Sequence, residues 1–156
     1  MKNLSRAMAG PIEVDQVHVG DNGQLWPRTG TEPIRFTFVD RGRTFLARLV
    51  RVGERARLHI AGEIAQLPYT VESPALRAAL LTAIRGMPRM ALGRLVVGPG
   101  QTICVEAELA FEAPVTPNRL IAAAAMFVAA TRPAAEHIDA AGSGKTPPPP
   151  TPRKRR

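Results

Sequence analysis

The sequence is short of the residues that most chemistry needs. It holds a single cysteine, Cys104, which excludes an intrachain disulfide and a multi-cysteine zinc site. Its three histidines, His18, His59 and His137, have no His or Cys two to four positions away, the spacing by which one element grips a metal ion. No metal and no other cofactor is therefore expected. One Trp and one Tyr leave little on which single-stranded bases could stack. No apolar run approaches the roughly 20 residues of a bilayer span. The opening stretch, MKNLSRAMAGPIEVDQ, has too short an apolar segment for a secretory signal, so a cytoplasmic chain is expected.

A nucleotide-binding loop is also missing, although the segment GSGKT at 142–146 imitates one. A phosphate-binding loop reads G-x-x-x-x-G-K-[ST] between a buried strand and a helix whose N-terminus faces the anion. Counting back from Gly144 places the first glycine at position 139, where the chain has Asp139. Upstream, TRPAAEHIDAAG has no β-branched run to form a strand; downstream, Pro147 to Pro150 cannot form a helix. The motif reads as a linker.

What is present is positive charge, unevenly spread. The net charge is +8, and residues 143–156 hold Lys145, Arg153, Lys154, Arg155 and Arg156 with no acid. The remaining chain is only mildly basic. A Pro-rich tail of this composition buries too little to offset its ordering cost, so 140–156 is expected to be disordered. Its last four residues, Arg153, Lys154, Arg155 and Arg156, are the candidate contacts to a polyanion. Residues 1–32 are rich in turn formers, and Val14, Val17 and Val19 around GDNGQLW allow a short hairpin with Asn22-Gly23 at its tip.

Between these arms, 33–139 reads as one α+β domain. IRFTFVD, from Ile34, alternates apolar and polar residues with the period of a strand. RTFLARLVRV and RLHIAGEIAQL continue it as an antiparallel meander, with Gly62 a candidate bulge in the third strand. SPALRAALLTAIRG then carries helix signals: Ser73 as N-cap, Pro74 at N1, a Leu76–Leu80–Ala83–Ile84 stripe and Gly86 as left-handed terminator. RMALGRLVV, the turn GPGQ and TICVEAELAFE form two further strands, the last with one dry face and one bearing Glu106, Glu108 and Glu112. Arg94 is a candidate ion-pair partner for these carboxylates across the turn. TPNRLIAAAAMFVAATR is a second helix entered through Thr116 and Pro117 and stopped or kinked at Arg132-Pro133. The order is β-β-β-α-β-β-α, a sheet of about five strands with both helices on one face.

Over about Ile34 to Thr131 this order resembles the type III secretion chaperone-like fold, which includes the YbjN-like bacterial proteins. The resemblance rests on LPYTVESPALRAALLTAI, MALGRLVVGPGQTICVEAELAFE and TPNRLIAAAAMFVAAT. It implies a non-enzymatic, dimeric chaperone-like or adaptor protein that binds an extended segment of a partner protein along its sheet. Family members are usually acidic and begin with an amphipathic helix, whereas this core is mildly basic and Met1 to Met8 offers barely two turns.

The second strand points to the same use independently. Phe45 and Leu49 lie on one side of it and Leu46, Val50 and Val52 on the other, and two helices cover only one face. The other face is expected to serve a partner, with Leu46, Arg48, Val50 and Arg51 as its contact residues. Arg41, Arg43, Arg48, Arg51, Arg55 and Arg57 crowd the first hairpins, but strand parity sends Arg48 and Arg51 to opposite faces. The alternative function is a basic nucleic-acid-associated protein that uses these hairpins and the tail. No nucleophile, base and orienting group can be assembled, so catalytic residues are none and no enzyme is expected. Carboxylates such as Glu106 beside Cys104 would raise its thiol pKa, the reverse of nucleophile activation.

Overall fold

The computed structural model describes residues 17–19, 25–27 and 33–144. Strands β1 (Val17–Val19) and β2 (Leu25–Pro27) form an antiparallel two-stranded sheet of their own, as the valine pattern suggested. The Asn22-Gly23 turn and the disorder expected for the tail beyond Gly144 fall outside the described residues.

The domain itself has β3 (Ile34–Asp40), β4 (Arg43–Val52), β5 (Arg55–Gln66), α1 (Pro74–Gly86), β6 (Arg94–Val97), β7 (Thr102–Glu112) and α2 (Pro117–Gly142). The five main strands make one antiparallel sheet in the order β3-β4-β5-β7-β6. The fold is α+β. Tight turns explain the β3-β4-β5 meander: Arg41 and Gly42 have φ of 49° and 79°, and Gly53 has 64°. Between β6 and β7 a single 3-10 turn (Pro99–Gln101) reverses the chain through positive φ at Gly100 and Gln101.

One face of the sheet carries the core. Ile34, Phe38, Phe45, Ala47, Leu49, Leu58, Ile60, Ile103 and Val105 are buried there against Leu80 and Ala83 of α1 and Leu120, Ala124, Phe127 and Ile138 of α2. The core is mostly aliphatic, with one aromatic knot that composition did not reveal. Phe38 stacks on Phe45 at 5.3 Å between centroids, and Phe127 meets both rings edge-on. Such pairs add about 0.5–1.5 kcal/mol beyond area burial. They dock α2 on β3 and β4.

Several local expectations need correction. Ser73 holds the N-cap position of α1, but its hydroxyl makes no capping bond; only its carbonyl accepts, from the Arg77 amide at 3.0 Å. Gly86 does not adopt a left-handed conformation; it is the last helical residue, and Met87 leaves the helix in extended backbone. The bulge falls between Glu63 and Ala65, just after Gly62. Thr116 caps α2 as expected, accepting from the Arg119 amide.

The largest departure is the length of α2. It does not stop at Pro133 but continues to Gly142, so 140–142 belong to the helix and not to the tail. Proline inside a helix costs about 3 kcal/mol through its missing N–H and a ring clash. Tertiary contacts outweigh that cost: Ala134, Ala135 and Ile138 beyond it are buried. Asp40, Arg41 and Arg43 on the β3-β4 turn are ion-paired with Arg132, Glu136 and Asp139. Pro133 itself faces solvent.

Candidate interaction face

The pleat sends alternate residues of every strand away from the helices. On that outer face β3 places Arg35, Thr37 and Val39; β4 places Leu46, Arg48, Val50 and Val52; β5 places Arg55, Arg57, His59, Ala61 and Glu63. β7 contributes Cys104, Glu106, Glu108, Ala110 and Glu112, and β6 adds Arg94 and Val96. Leu46, inside β4, is 53% exposed, a high value for an aliphatic side chain within a sheet; Val52 at the end of β4 is 57% exposed and Val39 on the edge strand β3 47%.

Of the four expected partner contacts, the fold brings Leu46, Arg48 and Val50 together on this face. It does not bring Arg51. Its position in β4 belongs to the helix-side parity at the end of the strand, and its Nε donates to the Gly53 carbonyl at 3.0 Å. The tail residues Arg153, Lys154, Arg155 and Arg156 lie outside the described residues.

Strand register, which parity within one strand could not give, assembles rows across the sheet. Arg35 stands opposite Arg48, Arg48 opposite His59, and His59 opposite Glu108. A second row runs Val50, Arg57 and Ala110, and a third Thr37, Leu46, Ala61, Glu106 and Arg94. The hairpin arginines divide between faces, Arg48 and Arg51 going opposite ways as their parity indicated. Arg35, Arg48, Arg55 and Arg57 share the outer face, whereas Arg41 and Arg43 turn to α2, at 2.7 Å from Glu136 and 2.6 Å from Asp139. Arg35 is a residue that sequence reasoning passed over; its alternation within IRFTFVD was the available signal.

The ion pairs on the outer face are short-range and unequal. Arg94 reaches Glu106 at 2.6 Å, as the turn between their strands suggested, and Arg57 reaches Glu108 at 3.5 Å. His59 lies 4.0 Å from Glu106. Arg35 and Arg48 have no carboxylate within ion-pair distance among the described residues, although they face each other directly. Like charges so placed repel.

Two adjoining depressions mark this face. One, of about 460 Å³, is lined by Arg48, Val50, Val52, Arg57, His59 and Glu108. The other, of about 360 Å³, is lined by His59, Gly93, Arg94, Glu106, Ala107 and Glu108. They meet at His59 and Glu108.

Other features carry less chemistry. Cys104 is half-buried on β7; burial first, then the Glu63 and Glu106 carboxylates, push its thiol above the ordinary value. His137 sits inside α2. No group of three metal-ligating side chains converges among the described residues. No helix among them is long and apolar enough to cross a membrane. Asp139 and Gly142 are helical residues of α2, so the glycine-lysine segment follows a helix where a phosphate loop would follow a strand. No known protein family, curated protein or solved structure matches the chain.

Proposed function

We propose that the chain is a non-enzymatic, cytoplasmic protein-interaction module, chaperone-like or adaptor in character, that docks a partner protein on the outer face of its sheet. One observation carries this reading. Leu46, Val50 and Val52 leave an aliphatic strip beside Arg35 and Arg48, cations with no carboxylate partner among the described residues. Apolar surface exposed next to unpaired charge is the composition of an interface waiting for its other half.

The row of Arg35 and Arg48 also favours a second reading, contact with a nucleic-acid backbone. The whole face argues against it. Five arginines (Arg35, Arg48, Arg55, Arg57 and Arg94) stand against four glutamates (Glu63, Glu106, Glu108 and Glu112). A phosphate chain crossing this face meets nearly as many carboxylates as cations, which removes most of the electrostatic gain on which such binding depends.

A photo-crosslinking residue at position 46, with position 78 on exposed α1 as control, tests the reading. Protein adducts at 46 that persist after nuclease treatment and are absent at 78 are expected. Adducts to nucleic acid alone, or equal labelling at both positions, would overturn it.

A further inference from the structure

We infer that the gap between the second half of α2 and the β3-β4 turn is a binding site for a small, neutral aromatic molecule. The site lies on the helix side of the sheet and is independent of the outer face.

The gap measures about 360 Å³. That is within the range of ligand pockets, and at the roughly 30 Å³ share of a water molecule it holds about a dozen non-hydrogen atoms. Protein interiors are otherwise close-packed, so a space of this size needs a cause. Long side chains supply it. Arg41, Arg43 and Arg132 bridge turn and helix, reaching Glu136, Asp139 and Asp40 at 2.7, 2.6 and 3.4 Å, and so hold the two elements at arm's length. Inside that rim α2 contributes Val128 and the single methyl group of Ala135, too little to fill the space.

The lining decides the ligand. Its floor is Phe45, Ile64 and Val105, buried residues from three strands, which suit an apolar body. Its rim carries three cations and three carboxylates, joined in the pairs above, and so has no net charge to offer. A charged ligand meets a repelling group beside every attracting one, a cost that a neutral ligand avoids. An aromatic body gains twice. Phe45 brings a ring to the floor, and rings in offset or edge-on contact attract beyond their area burial. Arg43, the least exposed of the three cations at 23%, brings a planar guanidinium that stacks on an aromatic face without releasing Asp139. Arg132 can adjust at little cost. Its hold on Asp40 is the longest of the three, and its Nε is the one buried side-chain nitrogen or oxygen without a hydrogen-bond partner among the described residues.

Three compounds with one indole body test the site on the full chain: neutral indole-3-ethanol, cationic tryptamine and anionic indole-3-acetate. Calorimetric titration should give indole-3-ethanol a Kd between about 0.05 and 1 mM, with a raised melting temperature at saturation. Both charged compounds should bind at least about tenfold more weakly, and 2-cyclohexylethanol, neutral without an aromatic ring, several-fold more weakly. Ala135→Leu, which fills the gap, should abolish binding while circular dichroism shows a folded protein. Arg43→Gln, at the rim, leaves Asp139 without its cation and should bring tryptamine level with indole-3-ethanol or ahead of it. If Ala135→Leu does not fold, the Arg43→Gln result decides. No saturable binding of indole-3-ethanol below about 5 mM would overturn the site. Equal affinity for the three indoles, binding unchanged in folded Ala135→Leu, or a preference unmoved by Arg43→Gln would do the same.

Discussion

Phe45 and Gly62 stand directly opposite each other across β4 and β5, and the phenylalanine ring lies where a side chain at 62 would be. A Cβ at this glycine would fall within 2.7 Å of Cε1. The glycine is therefore a packing requirement, since its φ is not in the left-handed region. The vacated space lets Phe45 lie flat on the sheet and still reach Phe38 and Phe127. Gly62→Ala should destabilise the domain by about 1–3 kcal/mol, the usual cost of overpacking. In a domain of this size that lowers the melting temperature by several degrees per kcal/mol. A smaller loss in a Phe45→Leu background, measured by chemical denaturation, is expected if the ring is the obstacle.

The strands were legible in the sequence because their signal is local. Alternation in IRFTFVD and TICVEAELAFE, and the two-sided apolar run RTFLARLVRV between turns, gave β3, β7 and β4 with the observed bounds. Helix entry at Thr116-Pro117 was legible for the same reason. Helix exit was not. What extends α2 to Gly142 is burial of Ile138 and ion pairs to residues some 95 positions away, information that no window around Pro133 contains. The outer face was half legible. Leu46, Arg48 and Val50 follow from parity alone, but the row joining Arg35 to Arg48 and Glu108 depends on the register of four strands. Only the sheet order decides which arginines meet.

Pro133 supplies a second prediction. It is exposed in the middle of α2, so its ring contributes no core packing, and its helix cost is offset by the anchors on either side. Pro133→Ala restores a backbone donor and relieves the ring clash, against a loss of chain stiffness in the unfolded state of about 1 kcal/mol or less. The net change should be stabilising by about 1–2 kcal/mol. Calorimetry should show a raised melting temperature; a lowered one would mean that the proline itself shapes the contact with the β3-β4 turn.

Cys104 gives a pH prediction with a definite sign. Burial, reinforced by Glu63 and Glu106, favours the neutral thiol in the folded protein. Reaction with iodoacetamide at pH 7.5 should be slower than that of free cysteine, and should still be rising above pH 9. Because the folded value lies above the unfolded one, the thiol's contribution to stability is fully present below the unfolded pKa and is lost as pH rises through the folded one. Melting temperatures of the wild type and Cys104→Ala should therefore diverge only in alkaline buffer. Alkylation as fast as that of an activated thiol at neutral pH would show that the carboxylates do not act on it.

The last prediction concerns the glycine-lysine segment at the end of α2. A phosphate loop binds because several backbone N–H groups converge on one anion at the start of a helix. Here the chain reaches the segment from the opposite direction. Gly142 ends a helix, so the groups left unpaired in that last turn are carbonyls, which repel phosphate. The Ser143 amide is already spent on the Asp139 carbonyl at 2.9 Å, and Asp139 holds a carboxylate where the loop's first glycine would stand. Four prolines follow Thr146 in sequence and forbid the helix that would carry the anion. Isothermal titration with ATP or GTP and magnesium should give no heat at millimolar nucleotide, with Lys145→Ala indistinguishable from wild type. Micromolar affinity abolished by Lys145→Ala would require the segment to refold into a loop that α2, as it stands, cannot make.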